Sequence, residues 1–267
     1  MTTDFIHTKK GKLAYHSFGS GTRKMIALHG FAESGADFKV FAEALAMEYT
    51  LVALDLPYHG QSEWTSNTYT QEDLLMVLEQ IIEQKQWTKF DFLGHSLGGE
   101  LILSFANRLS EKAENIFLLA PGGIGVRGMQ IPDLIPFSLR KVINSLLKQP
   151  NWLLNLSNWG HKIGLIDAYS RKFLHHHLGD PAKQQRMLNT WVSKHYFKIR
   201  RKQCLDAIEQ DNIQVWFLLG KGDPLISPEK IKRWSAGHPQ IHIELLNAGH
   251  RLVKAATAEK IKELIKA

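Results

Sequence analysis

The run Gly94-His95-Ser96-Leu97-Gly98-Gly99 sets a serine two positions from a glycine on either side. Residues 89–93, Lys-Phe-Asp-Phe-Leu, read as a short buried strand, and residues 99–106 read as a helix. Ser96 would then sit on a sharp strand-to-helix turn. Such a turn holds the serine in a strained backbone conformation and pushes its hydroxyl outward. The positions two residues away must be small, which Gly94 and Gly98 satisfy. The N-terminus of the new helix also favours negative charge forming beside Ser96.

A serine hydroxyl is a weak nucleophile until a base takes its proton, and the base needs a partner that fixes its tautomer. Two later segments offer these groups. The apolar run 213–219 ends in Gly220-Lys221-Gly222-Asp223-Pro224, which delivers Asp223 into a loop at a strand end. The strand 241–245 leads to Asn247-Ala248-Gly249-His250 and places His250 in a similar loop. Taken alone, Asp223 reads as a turn residue before proline and His250 as a helix N-cap. Taken together, Ser96, Asp223 and His250 read as nucleophile, orienting acid and base.

Acyl transfer also needs donors for a developing oxyanion. The backbone N–H of Leu97, next to Ser96, is one candidate. The other is the N–H of Phe31, in the loop His29-Gly30-Phe31 that follows an apolar strand at residues 24–28, with Gly30 allowing the turn. His29, Gly30, Gly94, His95 and Gly98 are the supporting residues of these loops.

These groups must be brought to one place. Strands are expected at residues 12–18, 24–28, 50–55, 89–93, 115–119, 213–219 and 241–245. Helices are expected at 37–47, 71–84, 99–106 and 252–265, with Phe38, Phe41, Ala42 and Leu45 on one face of the first. The expected order has three strands before the first helix and passes directly from an inserted segment to the strand at 213. Alternating strands and helices give an α/β architecture, a mostly parallel twisted sheet covered on both faces. The candidate residues then gather at the C-terminal strand ends.

The chain resembles the α/β-hydrolase superfamily, in particular small capped serine hydrolases of the esterase and C–C hydrolase type. The resemblance rests on His29-Gly30-Phe31, Gly94 to Gly99, Gly220 to Asp223 and Gly249-His250, with the order Ser, Asp, His. It covers residues 10–121 and 203–267. The loop Asp55-Leu56-Pro57-Tyr58-His59-Gly60-Gln61-Ser62 resembles the family's Asp-x-Pro-Gly-His-Gly-x-Ser, with Tyr58 in place of a glycine. The resemblance implies the α/β-hydrolase fold, a core of residues 1–121 and 203–267, and a helical cap at 122–202. A serine at the elbow sets the chain apart from the epoxide hydrolases and haloalkane dehalogenases, which use aspartate there. A single glycine in the oxyanion loop resembles the type acting on small or medium acyl groups.

Residues 122–202 break the alternation. Leu134, Ile135, Leu139, Val142, Ile143, Leu146 and Leu147 fall on one helical face. The segment carries 14 Lys and Arg against three Asp, a net +11, while the whole chain is only +7. This charge either solvates an outer face or attracts an anionic substrate or surface. No nucleic-acid module is recognisable. Neighbouring residues on a helix point about 100° apart, so His175, His176 and His177 cannot share one metal ion.

At 267 residues and 44% hydrophobic, the chain has length for one large domain with an insertion. Its single cysteine, Cys204, reads as a buried helix residue and allows no internal disulfide. Residues 1–10 lack a signal-peptide layout, and no window reaches the roughly 18 apolar residues of a membrane span. The expectation is a cytoplasmic, cofactor-free serine hydrolase, monomeric or homodimeric, acting on a small ester. A thioester or carbon–carbon bond hydrolase and a ligand receptor on this fold are the alternatives.

Overall fold

The computed structural model describes residues 1–126, 136–146, 151–166 and 168–266. Among the described residues nine strands form one sheet: β1 (Thr2–Thr8), β2 (Gly11–Phe18), β3 (Arg23–Leu28), β4 (Tyr49–Leu54), β5 (Glu63–Trp64), β6 (Phe90–His95), β7 (Ala113–Leu119), β8 (Gln214–Gly220) and β9 (Ile241–Leu246). Their order is β1-β2-β4-β3-β6-β7-β8-β9, with β5 pairing β2. From β4 to β9 every pairing is parallel. The registers Leu28↔Gly94, His95↔Leu119 and Gly220↔Leu246 bring the C-terminal ends of β3, β6, β7, β8 and β9 to one edge.

The central strands are apolar along their length because both sheet faces are covered. Met25 to Leu28, Leu51 to Leu54 and all of β6 are buried. β1 is different: among its residues only Ile6 is buried. It is an edge strand paired antiparallel with β2, and its polar sequence carries no apolar run to mark its bounds.

The helices are α1 (Lys39–Ala44), α2 (Gln71–Gln84), α3 (Leu97–Leu109), α4 (Phe137–Leu146), α5 (Asn151–Lys162), α6 (Ala168–Leu178), α7 (Pro181–Ser193), α8 (Arg201–Gln210), α9 (Pro228–Trp234) and α10 (Ala255–Leu264). The crossover β3-α1-β4 runs one way across the sheet and β6-α3-β7 the other. Right-handed crossovers therefore put α1 and α3 on opposite faces. α1 packs with α10, and α3 packs with α2 and α8. The reversal between β3 and β6 is the place where ligands enter sheets of this kind.

Two helices differ from expectation. The helix expected at 37–47 is a 3₁₀ turn, Gly35–Phe38, followed by the short α1. Ser34 and Asp37 form a capping box that starts the turn. The expected face survives, with Phe38, Phe41, Ala42 and Leu45 all buried. α8 is a helix ahead of β8 that the expected order of elements leaves out, although Cys204 reads as a buried helix residue; Cys204, Leu205 and Ile208 are buried in it. Burial pushes the Cys204 thiol up to about 12, which keeps it protonated and unreactive.

The chain divides into a sheet unit, residues 1–65, 70–129 and 197–267, and a helical unit, residues 66–69 and 130–196. The helical unit is narrower than the 122–202 expected for the insertion. Gly122 donates to the Ser96 carbonyl (2.8 Å) and Val126 bridges Ile226, which ties residues 122–126 to the sheet. Tyr69 N–H donates to Ser193 Oγ (3.0 Å), which draws residues 66–69 into the helical unit. Inside that unit the Arg140 guanidinium lies over the Trp191 ring, and Leu178, Leu188 and Val192 are buried. Leu134, Ile135 and Leu147, and the side chains of Ile143 and Leu146, lie outside the described residues. Leu139 and Val142 of the expected apolar face are exposed.

Candidate active site

Ser96 joins β6 to α3 with φ 48° and ψ −107°, a left-handed conformation that a side chain disfavours. Such strain costs on the order of 1–3 kcal/mol and persists only where the surroundings enforce it. Here Ser96 N–H donates to Leu119 O (2.9 Å), while its carbonyl accepts from Glu100 N–H and Gly122 N–H. The glycines are there for space. A Cβ on Gly98 would lie 2.0 Å from Leu28 O, and one on Gly94 would lie 2.7 Å from Gly99 Cα. α3 therefore starts hard against β3 and β6, and Leu97 is its first residue.

His250 Nε2 lies 3.0 Å from Ser96 Oγ, and its Nδ1 lies 2.8 Å from Asp223 Oδ2. The Asp223 side chain is 1% exposed and that of His250 is 21% exposed, so the pair is sheltered but open on the histidine side. Asp223 Oδ1 accepts from Leu225 N–H (2.7 Å) and Ile226 N–H (3.2 Å). The carboxylate is thus locked, with one oxygen left for the imidazole. The two loops are also joined. Lys221 N–H donates to Leu246 O and Gly222 N–H to Ala248 O, both at 2.9 Å. A Cβ on Gly220 would meet Gly249 O at 2.3 Å, so this close approach needs glycine. Three residues separated by up to 154 positions meet at one edge of the sheet.

The His29-Gly30-Phe31 loop follows β3 at the same edge. Gly30 and Glu33 close a turn through Glu33 N–H to Gly30 O (3.2 Å), with Phe31 second and Ala32 third at φ 62°. Buried His29 is a fastener: Nδ1 donates to Gly30 O (2.7 Å), and Nε2 accepts from Leu56 N–H (3.0 Å). Burial holds its pKa below the ordinary value, consistent with a neutral ring.

Glu33 is the residue that sequence reading missed. Its Oε2 accepts from Gly30 N–H and from His95 Nδ1, both at 2.8 Å. His95 Nε2 in turn lies 3.1 Å from the His250 carbonyl oxygen. The chain Gly30–Glu33–His95–His250 links the three loops. A Cβ on Gly30 would press on Glu33 Oε2 and His95 Nδ1 at 2.8 and 2.9 Å. The only signal in the sequence is a carboxylate three residues after Gly30, which any turn could carry.

Burial acts to raise the Glu33 pKa, but the His95 hydrogen bond, the His95 charge and the Gly30 N–H outweigh it, and the net shift is downward from 4.5. A depressed carboxylate pKa contributes stability above the unfolded value, and the contribution is lost as pH falls through the folded one. Glu33→Gln is therefore expected to cost about 2 kcal/mol at neutral pH. The gap from wild type should close as pH drops below the ordinary carboxylate range. Urea unfolding of both proteins at neutral and acid pH checks this; a gap independent of pH would refute it.

In the loop at residues 55–62, Tyr58 takes φ 68° where the resembling pattern has glycine. Asp55 holds the loop by accepting from Gly35 N–H (2.6 Å), Gln61 N–H (2.7 Å) and His16 Nε2 (3.2 Å). Burial opposes its charge, yet these donors lower its pKa. In the helical unit, His175 Nε2 lies 3.4 Å from Ser157 Oγ, and His176 Nε2 lies 3.3 Å from Lys183 Nζ. The two rings serve different partners, and no cluster able to hold a metal exists among the described residues.

Residues 25–253 match the family model described as the alpha/beta hydrolase fold. The uncharacterized hydrolase YugF of Bacillus subtilis is 27% identical over 259 residues, 94% of this chain and 91% of its own length. A 2-hydroxy-6-oxononadienedioate/2-hydroxy-6-oxononatrienedioate hydrolase of Escherichia coli is 26% identical over 158 residues, 56% of this chain and 54% of its own length. The solved structure of a thermophilic esterase from Thermogutta terrifontis superposes with a TM-score of 0.70 at 16% identity, covering 100% of this chain and 98% of that one. With this sheet, this serine turn and a match over most of its length, the chain belongs to the α/β-hydrolase family. It is a hydrolase of that family.

Proposed function

We propose that this protein is a serine hydrolase that cleaves a carboxylic ester of a small or medium acyl group through an acyl-enzyme. The observation that carries the reading is the unbroken chain Ser96 Oγ, His250 and Asp223 at 3.0 and 2.8 Å. Ser96 Oγ attacks the acyl carbonyl while His250 Nε2 takes its proton. The tetrahedral oxyanion is held by Leu97 N–H and Phe31 N–H. His250 gives the proton to the departing alcohol, and the acyl group stays on Ser96. Water, deprotonated by His250, then releases the acid and restores the serine. Asp223 keeps the His250 Nδ1 proton in place and stabilises the imidazolium.

A second reading is supported by the Escherichia coli relative, whose name specifies a dienedioate. It is hydrolysis of a carbon–carbon bond in an anionic keto acid by the same residues, favoured by the basic charge of residues 122–202. Turnover of p-nitrophenyl acetate and butyrate, an acyl thioester and a dienoic keto acid separates the readings. The ester reading expects highest kcat/KM on the nitrophenyl esters, with little response to salt. The second expects highest kcat/KM on the keto acid, falling as the Debye length shrinks from about 30 Å at 0.01 M salt to about 10 Å at 0.1 M. Binding of these compounds without repeated turnover would indicate a receptor and overturn both.

A further inference from the structure

Helix α5 presents four large apolar side chains to solvent. Trp152, Leu156, Trp159 and Ile163 recur at the spacing of one helical face, and they are 53%, 49%, 58% and 49% exposed. The buried face carries Ser157 and Gly160. Ser157 faces His175, and Asn158 accepts a hydrogen bond from Arg171. A helix that simply faces water has the opposite pattern. Gly164, at φ 75°, then ends the helix and projects Leu165, which is 76% exposed.

The charge in the surrounding sequence has one sign. Residues 134–166 contain Arg140, Lys141, Lys148 and Lys162 and no acidic residue. The helical unit as a whole has nine basic and three acidic side chains, a net +6. A second copy of the chain would bring the same excess positive charge to this face. Tryptophans with aliphatic neighbours on one helical face, bordered by lysine, suit the boundary between lipid headgroups and acyl chains.

We infer that the α5 face of the helical unit docks on an anionic lipid bilayer, with Trp152, Leu156, Trp159 and Ile163 entering the interface. No described helix is long and apolar enough to cross a membrane, so the attachment is peripheral. Basic residues near an anionic surface strengthen such an attachment, and salt screens their contribution. The observation concerns the helical unit and stands whether or not Ser96 is the nucleophile.

The test is co-sedimentation of the full chain with vesicles of phosphatidylcholine alone or mixed with phosphatidylglycerol. Binding is expected on the mixed vesicles at low salt, with a blue shift of tryptophan emission, and should weaken at high salt and on phosphatidylcholine alone. Trp159→Gln combined with Ile163→Gln should weaken binding about a hundredfold, since two large apolar groups no longer leave water. Both positions are exposed, so the far-ultraviolet circular dichroism should not change. No binding of wild type to mixed vesicles at low salt would overturn the inference. So would equal binding by the double variant, or a wild-type dimer that the double variant dissociates and vesicles do not.

Discussion

Ser96→Ala is expected to lower kcat/KM by about 10⁴- to 10⁶-fold, the scale seen when a triad nucleophile is removed. The fold should survive, because the turn is held by main-chain bonds and by glycines, none of which uses the Ser96 hydroxyl. Residual rate would come from binding and the oxyanion donors. A fluorophosphonate probe checks the assignment independently of substrate. It should label wild type at Ser96 and leave the variant unlabelled. Equal labelling of the two proteins would place the nucleophile elsewhere.

Asp223→Asn is expected to cost about 10³- to 10⁴-fold in kcat with little change in KM. The reason lies in the two backbone donors. Leu225 N–H and Ile226 N–H both point at Oδ1, so an asparagine would keep its oxygen there. Its amide nitrogen would then face His250 Nδ1 as a donor. The imidazole would answer by accepting at Nδ1 and carrying its proton on Nε2, where it cannot take one from Ser96. Steady-state kinetics on the best ester, with a thermal unfolding control, measure the loss. Near-full activity in a folded variant would show that Asp223 does not orient the base.

These expectations begin in residues that are legible along the chain. Gly94, Ser96 and Gly98 could be read as a turn because no larger residue fits beside a strand-to-helix corner. Asp223 and His250 could be read as partners because each follows an apolar run of strand length, and a parallel sheet sends such ends to one edge. The buried face of α1 was equally plain, since its period is local. What is local, periodic or sterically exclusive can be recognised from sequence, because the chain neighbours themselves impose it.

The rest depended on contacts between distant segments. β1 exists because β2 offers it an edge, not because its own residues demand a strand. α8 is fixed by burying Cys204, Leu205 and Ile208 and by packing on α3. The Glu33–His95–His250 chain spans 62 and then 155 positions, and a carboxylate or an imidazole carries no mark of its partner in the sequence. Nor could the pattern say which side of α5 faces outward, since the same stripe of Trp152, Leu156, Trp159 and Ile163 suits a core or an interface. Sequence alone determined which chemistry the chain can hold and where along it that chemistry lies. Tertiary structure decided which groups share a hydrogen bond and which apolar face is left to water, because those are properties of pairs of segments that only folding brings together.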